Sequence, residues 1–198
     1  MIARLSKRMA SFFVRNDVIK SEDEEVYEYG LQLLLSTVFN GIIALVLAII
    51  SGTVWQCVCY LAVFILIRKS AGGFHAKTHL GCCCILAVVL SLFILFIKFV
   101  PTNIYATITV LAVVFSVAVI LLFAPLEHEN NPISGKDKKR LRKISVIYAI
   151  LISFVISLLF ITNMKEIMVC LALGMFTASS SMLVAIIEKK IKSIHLGA

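Results

Sequence analysis

Leu80-Gly81-Cys82-Cys83-Cys84-Ile85-Leu86-Ala87-Val88-Val89-Leu90-Ser91-Leu92-Phe93-Ile94-Leu95-Phe96-Ile97-Lys98 meets no charge until its last residue. A hydrocarbon core roughly 30 Å thick is crossed by about 20 helical residues, so this stretch predicts a transmembrane helix. Barrel strands would alternate between lipid-facing and lumen-facing residues, and this run does not. Helix is then the remaining form in which a spanning backbone satisfies its own hydrogen bonds. Working outward, the same pattern recurs at 31–50, 53–67, 104–123, 144–162 and 167–187, which predicts six spans. The run 53–67 is short. It either borrows Gly52 and Arg68 from its flanks, with snorkelling, or forms a re-entrant segment.

Composition agrees: 61% of the 198 residues are hydrophobic and 15% charged, whereas soluble domains are apolar at roughly half of their positions. The expectation is an all-α polytopic membrane protein, one domain over 1–198 with its six-helix bundle over 31–187, because the spans leave no segment for a separate soluble core. Residues 1–20 read differently. Ile2, Leu5, Met9, Phe12 and Phe13 recur at helical spacing among Arg4, Lys7 and Arg8, which predicts an amphipathic helix lying in the interface against anionic lipids rather than a cleavable signal. The acidic residues Glu22, Asp23, Glu24, Glu25 and Glu28 that follow suit a solvated helix start.

Basic residues assign the sidedness. Of the 19 Lys and Arg, all but Lys98 and Lys165 fall before span one, between spans two and three, between spans four and five, or at the C-terminus. By the positive-inside rule both termini, and the turn between spans two and three, face the cytoplasm.

That turn carries the chemistry. Arg68-Lys69-Ser70-Ala71-Gly72-Gly73-Phe74-His75-Ala76-Lys77-Thr78-His79 leads directly into Cys82-Cys83-Cys84. Thr78 suits an N-cap, which would put Cys82 at the fourth helical position, where the positive end of the dipole favours a thiolate. Consecutive residues point about 100° apart, so the three sulfurs cannot share one site. His79 is a helical neighbour of Cys82 and Cys83. His75 would stand about 10 Å from Cys82 along a continuous helix, and reaches it only if the chain leaves the helix before about Thr78, a bend that Gly72-Gly73 permits. Spacing alone allows either histidine. His75, His79 and a cysteine are also acceptable zinc ligands, but no fourth is evident nearby, and no metal or cofactor is expected. Cys57, Cys59 and Cys170 read as small packing residues.

Other function classes are weaker. Gln32, Ser36 and Asn40 could serve a small peptide or solute transporter. Ion-coupled carriers usually place a charge deep in a span, however, and none lies there; the three more simply make an interhelical polar seam. Gly41, Ala44 and Ala48 would allow the close helix contact of a homodimer. Nucleic-acid binding is not expected, because the charges lie at headgroup level without a groove-fitting surface.

Taken together, Tyr29-Gly30-Leu31 at the opening of span one, Arg68, Gly73-Phe74-His75-Ala76, Cys82 seven residues after His75, and Ala124-Pro125-Leu126-Glu127-His128-Glu129-Asn130-Asn131-Pro132 before a basic run resemble the accessory gene regulator protein B (AgrB) family. Its members are membrane cysteine endopeptidases of the bacterial cell membrane that mature an amphipathic quorum-sensing propeptide. The resemblance implies His75 as general base and Cys82 as nucleophile, with Arg68 and Gly73 in support. It implies a thioester acyl-enzyme whose acyl group passes to a cysteine or serine of the substrate, releasing an acidic C-terminal tail and leaving a thiolactone or lactone. Glu127 and Asn131 are candidates for a third catalytic member or a substrate contact. Lys138, Lys139 and Arg140, in the basic run Lys136-Asp137-Lys138-Lys139-Arg140-Leu141-Arg142-Lys143, fix topology and could attract the acidic tail.

Overall fold

The computed structural model describes residues 2–74, 78–126 and 135–196, and these are helical with no strand among them. Among the described residues seven α-helices run in order: α1 (Ile2–Arg15), α2 (Glu24–Ser51), α3 (Val54–Ala71), α4 (His79–Phe99), α5 (Tyr105–Phe123), α6 (Gly135–Ile161) and α7 (Lys165–Leu196). Six of them, α2 to α7, are long and apolar enough to cross a membrane. The all-α polytopic architecture is therefore that of a multi-pass membrane protein. The short run resolves into a single helix, not a re-entrant hairpin: α3 has 18 residues, about 27 Å at helical rise, because it continues through Arg68 to Ala71.

Helix ends follow from local chemistry. At the end of α2, Gly52 adopts φ +70° and its N–H donates to the Ala48 and Ile49 carbonyls, the left-handed cap that glycine tolerates best. Gly72, at φ +81° and ψ −166°, ends α3 in a different conformation, its N–H donating to the Arg68 carbonyl. The basic run expected in a loop instead forms the exposed first turns of α6. Lys, Arg and Leu are good helix formers, and Asp137 in the first turn suits the helix dipole.

The chain divides into two compact units, Met1–Gly52 with Ala76–Leu92, and Thr53–His75 with Phe93–Ala198. In the first, α1 packs on α2 through its smallest residues, Ser6 and Ala10, both fully buried. Leu5 and Phe12 stay exposed, as expected of a face that meets lipid. Ser11 ties the pair by donating to Glu24 Oε1 at 2.6 Å.

In the second unit α7 is central, packing on α3, α5 and α6. Val63, Ile67 and Ala71 of α3 meet Val119 and Ile120 of α5, Ala149 of α6, and Met175, Ala178 and Met182 of α7 in one apolar core. Small residues let the backbones approach. At Gly174 a Cβ would collide with the Tyr60 carbonyl oxygen and lie 3.3 Å from Val63 Cβ, while Tyr60 Oη donates to Thr177 Oγ1 at 2.9 Å. Gly174→Ala is thus expected to destabilise the protein by about 1–3 kcal/mol, in the range of overpacking. Gly30→Ala, whose Cβ would meet nothing within 4 Å, should be neutral or stabilising. Thermal unfolding of the two variants in detergent compares them directly, and equal midpoints would contradict the close approach.

Candidate functional site

In the second unit the end of α3 is stapled to α7. Phe74 N–H donates to the Ser181 carbonyl at 3.0 Å. Arg68 Nη1 donates to Ser181 Oγ at 3.3 Å, Arg68 Nη2 donates to the Phe74 carbonyl, and the guanidinium carbon lies 5.5 Å from the Phe64 ring centroid. The planar fork of arginine allows such simultaneous contacts, whereas a lysine offers a single ammonium. Ser181 Oγ itself donates to the Ala178 carbonyl at 2.7 Å, which orients the hydroxyl. On the other flank, Leu126 N–H donates to the Ala71 carbonyl at 2.9 Å. Residues 72–74, immediately before His75, are held from two sides.

The two glycines are where these staples leave no room. A Cβ at Gly73 (φ +156°) would stand 2.5 Å from Ser181 Oγ and 3.4 Å from Arg68 Nη1, and one at Gly72 would stand 2.8 Å from the Leu126 carbonyl oxygen. Arg68 and Gly73 therefore belong to one cluster. Ser181, its third member, was not singled out by the sequence reading, although the run Ser179-Ser180-Ser181 inside an apolar span is a signal that could have found it.

In the first unit, Thr78 caps α4. Its Oγ1 accepts from Gly81 N–H at 3.1 Å and its carbonyl from Cys82 N–H at 3.1 Å, so Cys82 occupies the fourth helical position as the spacing predicts. α4 begins at His79, and Thr78 before it is not helical. The cap also consumes two donors. Of the first backbone N–H groups of α4, those of Gly81 and Cys82 are engaged, and those of His79 and Leu80 are the ones for which the helix itself supplies no acceptor.

The Cys82 sulfur meets α2. Asn40 Nδ2 donates to Cys82 Sγ at 3.8 Å, and Asn40 stands midway along the apolar run 31–50. Ser36, Ala44 and Ala48, spaced at fours around Asn40, are buried on α2; of the residues expected in a polar seam, Asn40 reaches another helix at the Cys82 thiol, while Gln32 Nε2 donates to Glu28 Oε1 within α2. All six cysteines are free; Cys57 and Cys170 are buried, Cys82 and Cys83 half-buried and Cys84 exposed. Lys138, Lys139 and Arg140 are exposed on α6. His75, Glu127 and Asn131 lie outside the described residues, as does the His75 half of the zinc reading; among the described residues no cluster of His, Cys, Asp or Glu could hold a metal.

The accessory gene regulator B family model matches residues 6–186, nearly the whole chain. The chain belongs to the AgrB family. Similar proteins named as AgrB-like occur in Listeria innocua serovar 6a, 28% identical over 165 residues that cover 81% of this chain and 79% of that one, and in Clostridium perfringens strain 13, 26% identical over 152 residues that cover 72% and 70%. Another, from Listeria monocytogenes serotype 4a, is 28% identical over 165 residues, again 81% of this chain and 79% of the relative. No solved structure matches the chain. AgrB membership connects the protein to the accessory gene regulator system, and its match runs through both the Arg68–Gly73–Ser181 cluster and the capped Cys82 turn.

Proposed function

We propose that this AgrB-family protein is a cysteine endopeptidase of the bacterial cell membrane, working at its cytoplasmic side on an amphipathic propeptide. The observation that carries the reading is the Cys82 thiol in the first turns of a capped helix with an amide N–H directed at its sulfur. His75, seven residues earlier, takes the thiol proton as general base. The Cys82 thiolate attacks a substrate carbonyl to give a thioester, with the His79 and Leu80 N–H groups available to the developing oxyanion. Arg68, Gly73 and Ser181 set the path of the chain that leads into His75.

The position of the thiol supports transfer over hydrolysis. Cys82 is half-buried, with its sulfur against Asn40 of α2, so a thioester formed there is partly shielded from water and open to attack by a nucleophile of the substrate itself. The acidic tail leaves as the amine when that thioester forms; the acyl group then moves to a substrate cysteine or serine with Cys82 Sγ as the leaving group, and the ring closes as a thiolactone or lactone. Lys138, Lys139 and Arg140, exposed on α6, attract that tail, while Glu127 and Asn131 remain candidates for the third catalytic member or a substrate contact. The basic face of α1 holds the enzyme against anionic lipid; of the three small residues considered for a homodimer contact, Ala44 and Ala48 are buried within the protein and Gly41 is exposed.

Trapping the intermediate tests the reaction class. Membranes co-expressing the protein and its propeptide, quenched in acid, should contain a peptide adduct on the Cys82 tryptic fragment that neutral hydroxylamine releases. An adduct stable to hydroxylamine, or tail release without any adduct even under rapid quench, would rule out the thioester. A transporter would move the peptide uncleaved.

A further inference from the structure

Asn40 makes one contact and lacks another. Its Nδ2 donates to Cys82 Sγ, while its Oδ1 is buried with no hydrogen-bond partner among the described residues. An unsatisfied amide oxygen inside a span is expensive, and a leucine or alanine there would pack without that cost. Turned the other way, the amide would present lone pairs to the sulfur and oppose its ionisation. The observed orientation presents an N–H.

We propose, on the peptidase reading above, that Asn40 is a catalytic residue, the side-chain donor that stabilises the anionic states at Cys82. Before attack its N–H bonds the thiolate. As the sulfur forms its bond to the substrate carbonyl carbon, the π electron pair moves onto the carbonyl oxygen, which is bonded to that same carbon and so lies close to the sulfur. The amide N–H that lay on Sγ then reaches the oxyanion without transferring its proton. On collapse the carbonyl re-forms, the C–N bond breaks with its electron pair going to nitrogen, and the leaving amine takes the proton first removed from the thiol. The cap engages the Gly81 and Cys82 N–H groups, so Asn40 adds a side-chain donor alongside the His79 and Leu80 N–H groups.

The test needs no cognate peptide. In full-length protein carrying Cys57, Cys59, Cys83, Cys84 and Cys170 as alanine, reconstituted in vesicles with anionic lipid, Cys82 is acylated by p-nitrophenyl acetate, read as the nitrophenolate burst. It is alkylated separately by iodoacetamide. Acylation passes through an oxyanion; alkylation does not. Asn40→Leu and Asn40→Asp should lower the acylation rate at least tenfold, toward the loss of about 10²-fold typical of a missing oxyanion donor, with Asn40→Gln recovering part of it. Once corrected for thiolate content from its pH profile, alkylation should stay within about threefold of the parent. Acylation that survives Asn40→Leu within about threefold overturns the proposal. So does a parallel fall of acylation and corrected alkylation in all three variants, which assigns Asn40 to packing. The underlying peptidase reading fails separately: propeptide cleavage that survives Cys82→Ala removes it, whatever Asn40 does.

Discussion

Cys82→Ala is expected to leave no detectable propeptide cleavage, whereas Cys83→Ala and Cys84→Ala should process within about threefold of the parent. The three sulfurs are adjacent in sequence but about 100° apart around α4. The Cys82 sulfur is the one that receives the Asn40 amide, and Cys84 is exposed. Removing the nucleophile removes the covalent step and with it most of the rate enhancement, since members of a catalytic unit act together. His75→Ala should be as severe, and His79→Ala mild. Co-expression with the propeptide, followed by gel and mass spectrometry of the released tail, provides the readout. Dependence on Cys83 or His79 in place of Cys82 and His75 would move the site to the helical-neighbour pair that spacing also allows.

Gly73→Ala is expected to reduce processing by about 10²-fold, the scale of loss when a reacting group is displaced by about 1 Å. The added methyl would fall 2.5 Å from Ser181 Oγ, at a φ of +156° that side chains rarely adopt. The hydroxyl cannot simply turn aside without giving up its bond to Ala178 or the donor bond it accepts from Arg68. Because the collision is with Oγ, the double variant Gly73→Ala/Ser181→Ala should recover part of the activity, the backbone strain accounting for the remainder. Arg68→Lys should fall with Gly73→Ala, because one ammonium cannot span the Phe74 carbonyl and Ser181 Oγ as the fork does. Normal processing by Gly73→Ala would show that the position of residues 72–74 is irrelevant to the reaction.

Much of this was legible in the chain. Apolar runs announced six spans, and hydropathy does so reliably because a backbone in lipid has almost no alternative to helix. Thr78 announced the start of α4, since an N-cap is a local contact between residues three apart. Helix limits were less legible where charge obscures them: Lys138 to Lys143 read as a loop yet lengthen α6, because hydropathy marks where a helix enters lipid and not where its hydrogen bonds begin. Family motifs, not spacing, distinguished His75 from His79.

What sequence alone determined is the membrane class, the span count, the polar turn and the family. What only the tertiary structure decided is which distant residues serve that turn. Ser181 lies 113 positions from Arg68 and Asn40 lies 42 positions from Cys82, and no periodicity along one helix can name its partner on another. Helix formation is a matter of neighbours three and four apart, whereas a hydrogen bond between helices depends on which faces pack and at what height.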